Sequence, residues 1–454
     1  MALTGLQIYK LLPKTNCGDC NFPTCMAFAM QVAAKKVALN QCPHASEEAR
    51  AELAEASAPP MKLVTIGTDH NKVEVGQETV LFRHKEKFHH PTGIAVLVED
   101  TLTDSQLDDE ISSINKLKFT RVGEEISVNF VALQHKSTTA RDYANLTEKV
   151  VEKSDFPLIL ICKDPSIMES ALKIAGNRKP LLYAATKKNY EKMASLAKEF
   201  NCPLAVYAES LEELAALTQD VKKIGVDELV LDPGSREPKT ALDNLTRLRR
   251  LAVEKTFRPV GYPTIIFTGE SDSFQEIIQA STYVCKYANI VALSAKTSWQ
   301  ILPLLTVRQN IYTDPQVPNA VESRLYEIGA VTPTSPLLVT TNFSLTYFTV
   351  ESEVENSKVP AYICSVDTEG MGVLNAYAGD KWSAEKAAKT LEQQKAREKI
   401  SHNTVIIPGL VAVFRAELID EFGWDVLVGP EDAARIPSFL KNEWKGYMSK
   451  KEQR

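Results

Sequence analysis

The chain has 454 residues, is 44% hydrophobic and 24% charged, and carries a formal net charge of −6. That length holds about two to four domains with sizeable cores, and the mild acidity, with no long basic run and no basic–aromatic stripe, argues against a nucleic-acid partner. No apolar run approaches a membrane span and Met1–Pro13 lacks the basic start and apolar core of a signal peptide, so the expectation is a cytoplasmic protein without disulfides.

Four of the eight cysteines, Cys17, Cys20, Cys25 and Cys42, fall at the very start of the chain with the spacing C-x2-C-x4-C-x16-C. Four thiolates are a full ligand set for a cubane iron–sulfur cluster or a tetrahedral zinc ion. Structural zinc sites usually use two close pairs; here there is one pair, a short step and a lone Cys42 before Pro43, which favours iron–sulfur. Zinc and unligated core thiols are the remaining alternatives. Pro23–Thr24 reads as a helix start with Thr24 as cap, placing Cys25 in the first turn, where free N–H groups and the positive pole of the dipole suit an anionic cluster. Lys35 and Lys36 suit the other pole. Met26, Met30, Ala33 and Val37 have helical spacing and read as one apolar core face. His44 is near, but four cysteines complete a ligand set without it. Cys162, Cys285 and Cys364 sit in apolar surroundings and read as buried, inert thiols.

Residues 46–60, rich in Ala and Glu and closed by Pro59–Pro60, read equally well as a linker or a connecting helix. Residues 62–67 and 79–83 read as a hairpin. Apolar runs then start at Ile94, Val128, Leu158, Leu181, Leu204, Glu228, Thr264 and Ile290, separated by helix-patterned segments such as 189–200 and 210–223. This alternation predicts parallel strands joined by crossovers, and eight units predict a closed (β/α)8 TIM barrel with the hairpin plugging its floor. Chemistry on such a barrel sits on the loops after the strands. Asp232-Pro-Gly-Ser235 is the most pointed of these, a polar ligand loop or simply a tight turn. Asp100, Asp164 and Ser294 at other strand ends make no recognisable catalytic set. HExxH, GxSxG and P-loop motifs are absent, which suits a scaffold or docking surface.

Prolines at 315, 318, 333 and 336 mark a boundary, with a short helix expected over 322–328. Beyond it, strands over 337–341, 361–365, 404–407 and 426–428 alternate with helices over 344–355, 383–397 (capped by Ser383), 411–421 and 431–440. This predicts a small doubly wound, Rossmann-like domain. Ligands bind at the carboxyl ends of such strands, here Thr340–Thr341, Val366–Thr368 leading into Glu369-Gly-Met-Gly-Val373, Pro408–Gly409 and Gly429–Pro430. Small residues let a large planar ligand approach the backbone, and hydroxyls can bond its amide fringe. Gly370-Met-Gly372 is only a partial dinucleotide fingerprint: Asn375 stands where a third glycine belongs, and the segment follows the second strand rather than the first.

Taken together, the cysteine motif Cys17-Gly-Asp-Cys20-Asn-Phe-Pro-Thr-Cys25, the eightfold strand rhythm and Val366-Asp-Thr-Glu-Gly-Met-Gly-Val373 resemble, over the whole chain, the large (gamma) subunit of the corrinoid iron–sulfur protein of the anaerobic acetyl-CoA (Wood–Ljungdahl) pathway. The resemblance implies three domains: a helical 4Fe–4S domain with linker (1–58), a barrel scaffold (59–318) and a cobamide-binding α/β domain (319–454). It implies a 4Fe–4S cluster on Cys17, Cys20, Cys25 and Cys42. It places cobamide contacts at Thr340, Thr346, Gly370, Met371, Gly372 and Val373, with Gly429–Ala433 as a further candidate loop. With the strand ends this makes a site of Thr340, Thr341, Thr346, Thr368, Gly370, Met371, Gly372, Val373, Leu374, Pro408, Gly409, Gly429, Pro430 and Ala433. The implied function is methyl transport. Cobalt(I) takes a methyl group from methyltetrahydrofolate on a separate methyltransferase, and the methyl–cobalt(III) form delivers it to acetyl-CoA synthase. The cluster relays the electron that rescues inactive cobalt(II). The implied partners are a small barrel subunit in a heterodimer, that methyltransferase, acetyl-CoA synthase/CO dehydrogenase and a reductive activator.

The residues add one point of their own. The D-x-H-x-x-G motif of many corrinoid methyltransferase domains is missing, and His402, the only histidine after residue 135, lies before a strand, at the wrong end. No histidine is therefore expected below the cobalt, and Leu374 or Thr368 is the expected neighbour. Two other functions are weighed against this one. An electron-transfer protein with a flavin or nicotinamide needs a phosphate-binding fingerprint at the first strand, where Thr340-Thr-Asn-Phe-Ser344 stands instead. A barrel enzyme with the cluster as a staple needs an acid–base set at the barrel strand ends.

Overall fold

The computed structural model describes residues 5–33, 37, 39–47, 59–269 and 272–452. The 46–60 stretch, but for its ends, lies outside them, as do Lys35 and Lys36. The chain forms two compact units, Met1–Phe119 with Ile126–Thr313, and Thr120–Glu125 with Asp314–Arg454.

At the start of the first unit, α1 (Gly5–Leu11) packs on α2 (Cys25–Ala33). Thr24 caps α2, its hydroxyl accepting from the Ala27 N–H at 3.1 Å. The buried face of α2 is Cys25, Phe28, Ala29 and Val32, an i, i+3, i+4, i+7 stripe. Of the expected face, Met26 and Met30 point outward, 36% and 58% exposed, whereas Ala33 and Val37 pack, partly buried, against the core cluster. The two stripes are one residue apart, about 100° around the helix. Phe28, in ring contact with Phe22 at 5.6 Å, decides which one turns in.

β1 (Leu63–Ile66) and β2 (Val73–Gly76) form an antiparallel hairpin. Its second strand is 73–76, not 79–83. Gly76 at φ +96° turns the chain away, and the next residues are held irregular by buried Arg249, which donates to Glu78 Oε2 at 3.0 Å and to the Val80 carbonyl at 2.8 Å. The barrel then runs β3 (Gly93–Glu99), α3 (Asp104–Asn115), a hairpin of β4 (Lys118–Arg121) and β5 (Glu124–Ser127), β6 (Phe130–Gln134), α4 (Ala140–Lys153), β7 (Leu158–Ile161), α5 (Pro165–Ala175), β8 (Leu181–Ala185), α6 (Tyr190–Glu199), β9 (Leu204–Tyr207), α7 (Leu211–Ile224), β10 (Leu229–Asp232), α8 (Pro238–Val253), β11 (Ile265–Phe267), α9 (Ser273–Cys285), β12 (Ile290–Leu293) and α10 (Ser298–Tyr312). Each of the eight apolar runs became one parallel strand, in the order β10-β9-β8-β7-β6-β3-β12-β11. The remaining seam carries one parallel bridge, Leu231 to Thr264, so the barrel is nearly closed. Its interior is a packed layer of large and small residues, among them Phe130 beside Ala132 and Ile290 beside Ala292. Val64, Ile66 and Val75 of the hairpin join that layer. The hairpin's backbone bonds go to Lys179 and Gly261 just before strands, so it closes the barrel at the strands' amino ends, the floor.

Cys162 and Cys364 are buried, and burial pushes their thiols up to about 11 and about 12. Cys285 is exposed, contrary to expectation. Tyr283 and Val284 take the inner face of α9, and one further residue turns the chain about 100° outward.

The second unit contains β13 (Leu325–Ile328), β14 (Leu337–Thr341), α11 (Ser344–Ser357), β15 (Ala361–Val366), α12 (Val373–Ala378), α13 (Ala384–Gln393), α14 (Ala396–Lys399), β16 (Thr404–Ile407), α15 (Phe414–Asp420), β17 (Asp425–Val428), α16 (Ile436–Phe439) and α17 (Lys445–Glu452). The sheet order is β13-β15-β14-β16-β17, with β13 antiparallel and the rest parallel. Segment 322–328 was expected as a helix, but Leu325–Ile328 pairs antiparallel with β15. An unpaired sheet edge outweighs weak local helix preference, and Tyr326 packs on Tyr347 at 4.4 Å. Both sheet faces are covered. Leu337 and Val339 pack with Trp382 and Leu418 on one side, and Leu338 and Ile406 with Tyr347 and Trp444 on the other.

Candidate functional site

Two places gather chemistry, one in each unit. The first is the cysteine loop. Left-handed backbone at Asn16, Gly18 and Asn21 doubles the chain back between Cys17 and Cys25, and Asn16 Oδ1 accepts from the Cys25 N–H at 2.8 Å. Cys20, Cys25 and Cys42 are 6, 6 and 3% exposed among Ile8, Leu12, Phe28 and Leu39, while Cys17 is exposed. Soft thiol donors inside an apolar shell fit an iron–sulfur cluster. Asp19 and His44 meet at 2.6 Å. Hydrogen bonds from His44 and then Cys17 hold the Asp19 carboxyl below the usual carboxylate range.

The second is a cleft of about 410 Å³ across the carboxyl ends of β14, β16 and β17. The strand order reverses between β14 and β16, which opens a crevice there. Of the residues singled out from sequence, Thr340, Thr346, Gly372, Val373, Leu374, Pro408, Gly429, Pro430 and Ala433 line it. Thr340 is 1% exposed and its hydroxyl has no partner, which leaves a polar group for a ligand to satisfy. A Cβ on Gly372 would stand 3.5 Å from Phe343 and 3.6 Å from the Thr346 hydroxyl, and one on Gly429 3.1 Å from Ile406. These glycines keep the wall thin. Leu345, Leu374 and Leu410 are exposed at the rim. A long apolar crevice with an orphan hydroxyl and glycine walls fits a large planar cofactor with polar edges.

The other five stand behind the wall. Thr341 alternates to the opposite face from Thr340, as period two requires. Thr368 is buried, its one hydroxyl proton facing the Met371 carbonyl at 2.8 Å with Asn342 Oδ1 also in reach at 3.1 Å. It is therefore spent on a turn, and of the two expected neighbours of the cobalt only Leu374 reaches the cleft. Glu369 (φ +56°) and Gly370 (φ +70°) form that turn, closed by the Met371 N–H donating to the Thr368 carbonyl at 3.2 Å. Met371 packs into the opposite layer. At Gly409 a Cβ would meet the Gly429 carbonyl at 2.8 Å and Glu431 N at 3.0 Å, so it lets the 409 and 429–431 loops touch.

Sequence reasoning missed Asn342. Its Oδ1 accepts from the Thr368 N–H (2.9 Å) and the Gly370 N–H (3.1 Å), and its Nδ2 donates to Asp367 at 3.0 Å. Its position one residue past a predicted strand end was the available signal. Leu345, Thr349, Asn375, Leu410 and Glu431 also line the cleft, and only the fold brings them there. His402 sits before β16, at the far end of the sheet, and no histidine is among the residues that line the cleft.

On the barrel, Asp232 is fully buried, accepting from Tyr183 at 2.6 Å, Arg236 at 2.8 Å and the Gly234 N–H at 2.8 Å. The Asp-Pro-Gly-Ser segment is a locked turn. Asp164 caps α5. Asp100 is filled by His135 and by the Lys136 and Ser137 N–H groups. Among the described residues no helix is long and apolar enough to cross a membrane.

Comparison with known proteins bears on both places. Residues 63–440 match the family described as CO dehydrogenase/acetyl-CoA synthase delta subunit, and residues 12–44 match a putative Fe-S cluster family. The chain is 47% identical to the corrinoid/iron-sulfur protein large subunit of Moorella thermoacetica, over 97% of this chain and 99% of that one. It is 38% identical to the acetyl-CoA decarbonylase/synthase complex subunit gamma of Methanothermobacter thermautotrophicus, again over 97% and 99%. Among solved structures, 7,8-dihydropteroate synthase from Vibrio fischeri aligns at 13% identity and TM-score 0.38, over 56% of this chain and 99% of that one. On the full-length matches, the chain belongs to the family of the corrinoid/iron-sulfur protein large subunit and the acetyl-CoA decarbonylase/synthase gamma subunits.

Proposed function

We propose that this protein is the corrinoid- and cluster-bearing methyl carrier of an acetyl-CoA synthase/CO dehydrogenase system. The observation that carries this reading is the cleft at the switch point of the second unit, with the unpartnered Thr340 hydroxyl in its wall. Domains of 1–58, 59–318 and 319–454 then serve as cluster module, barrel scaffold and Rossmann-like cobamide domain.

When bound, a cobamide supplies a cobalt centre that takes up and gives up a methyl group, and a 4Fe–4S cluster supplies one-electron reduction. The chain's own residues bind and shield. Thr340 and Thr346 bond the amide fringe. Gly372 and Gly429 let the macrocycle meet the backbone, and Pro408, Pro430 and Ala433 shape the opposite wall. Leu345, Leu374 and Leu410 exclude water. Thr368, Gly370, Met371 and Gly409 act from behind, fixing the loops, and Thr341 lies on the opposite face of its strand. Val373 and Leu374 would face the ring and, with no histidine among the residues that line the cleft, no protein imidazole would ligate the cobalt, which suits a base-off cobamide. Cys17, Cys20, Cys25 and Cys42 hold the cluster. A small subunit, a pterin-dependent methyltransferase, acetyl-CoA synthase/CO dehydrogenase and a reductive activator are the proposed partners.

The test is a UV–visible and EPR titration of the anaerobically purified protein, co-expressed with its small subunit and supplied with cobamide. Corrinoid bands, base-off cobalt(II) hyperfine structure and a cluster signal on reduction are expected. Iron–sulfur absorption with no corrinoid after that supply overturns the carrier reading and favours plain electron transfer.

A further inference from the structure

Cys17 differs from its three companions. They are 3–6% exposed, whereas Cys17 is exposed. Among the described residues, the Cys17 sulfur, an Asp19 oxygen and a His44 nitrogen lie within 4.8 Å of one another, and Asp19 and His44 are already paired at 2.6 Å. Asp19 follows Cys17 by two residues and His44 follows Cys42 by two, so both non-thiol donors ride on the ligand loops themselves.

We propose that the iron held by Cys17 is the exchangeable corner of the cluster, and that Asp19 and His44 form a reception site for iron(II) returning to it. This rests on reading the four cysteines as 4Fe–4S ligands. Cys17 stands open to water, while Cys20, Cys25 and Cys42 are buried in one apolar cluster with Ile8, Leu12, Phe28 and Leu39, so of the four iron–thiolate bonds the one at Cys17 would be open to water and oxidants. Iron(II) accepts carboxylate and imidazole donors as well as thiolate, so the two neighbours can hold it where a thiolate alone cannot. The core at the 2+ level gives one electron to an outer-sphere oxidant, then releases iron(II) and leaves a 3Fe–4S core at the 1+ level. The Cys17 sulfur keeps the electron pair of its broken bond to iron and takes a proton from water. Three buried thiolates retain the remaining core, so the module can be refilled without unfolding.

The experiment uses the full chain, purified anaerobically and first assayed for iron and acid-labile sulfide. A protein without equal, cubane-level iron and sulfide overturns the cluster reading itself, before the proposal is reached. Stoichiometric ferricyanide is then added, formation of the 3Fe–4S core is followed by its sharp oxidised-state EPR signal, and free thiols are alkylated with iodoacetamide and located by peptide mass spectrometry. Label appearing at Cys17 in step with the signal is expected. Label at Cys20, Cys25 or Cys42 instead, or a 3Fe–4S signal with Cys17 unlabelled, overturns the proposal. In the paired variant Asp19→Asn with His44→Gln, recovery of the 4Fe–4S spectrum at limiting iron(II) and dithionite should weaken about tenfold, the scale of lost supporting ligands. Unchanged recovery removes the reception site.

Discussion

At the residue scale, two buried polar groups set testable limits. The His402 Nδ1 accepts from the Thr404 N–H at 3.1 Å, so Nε2 carries the proton and donates to the Ser335 carbonyl at 2.9 Å. The ring lies edge-on to Trp444 at 5.0 Å. Burial holds its pKa below the ordinary 6.5, with Lys451 acting in the same direction and the Ser335 bond and Asp425 against it. The folded ring takes up its second proton at a lower pH than the unfolded chain does. The stability this contributes is therefore complete above about pH 6.5 and is lost as the pH falls from there toward the folded-state value. The urea midpoint should fall between about pH 7.5 and 5.5, and His402→Gln should flatten that fall; an equal slope in the variant assigns it elsewhere. The second group is the Arg249–Glu78 pair, in which both side chains are 2% exposed at 3.0 Å. Arg249→Leu leaves the buried Glu78 without its counter-charge, held by the His89 and His90 N–H groups at 3.0 and 3.2 Å, at a cost of about 3–5 kcal/mol. The double change with Glu78→Leu removes the buried charge but leaves the His89 and His90 N–H groups and the Val80 carbonyl without these partners, so it should recover only part of the loss, as read by denaturant unfolding.

At the scale of elements, the loop from β15 to α12 depends on one side chain from β14's end. Asn342 accepts from two of that loop's N–H groups and donates to Asp367. Asn342→Ala takes the acceptor from the Thr368 and Gly370 amides while the Thr368 hydroxyl keeps the Met371 carbonyl, costing about 1–3 kcal/mol locally. The expected result is a protein that folds but releases corrinoid faster, read as cobalt retained after gel filtration. Retention equal to wild type would show that the loop holds itself. The segment's glycines were visible in the sequence, but the residue that fastens it was not, because the contact joins strand ends about 25 positions apart. The same limit produced the misread 322–328 segment. Local preference allowed a helix, and the free edge of β15 took it as a strand.

At the scale of the molecule, the cysteines belong to one compact unit and the cleft to the other. Cys25→Ala should therefore lower iron content while leaving bound cobalt unchanged, measured together by elemental analysis; parallel loss of both metals would mean that the two sites fold as one. The gathering of Cys20, Cys25 and Cys42 in one small helical module, the eight barrel strands and the four parallel strands of the second sheet were all legible in the sequence. Thiol spacing and continuous buried runs are local signals, and burial on both faces leaves such strands no alternative. The inward face of α2, the exposure of Cys285 and Cys17, the separation of Thr340 from Thr341 and the role of Asn342 were decided only by tertiary structure. Each depends on which neighbour arrives from a distant part of the chain. A rotation of one residue, about 100° on a helix or a full face on a strand, changes the answer without changing the local pattern.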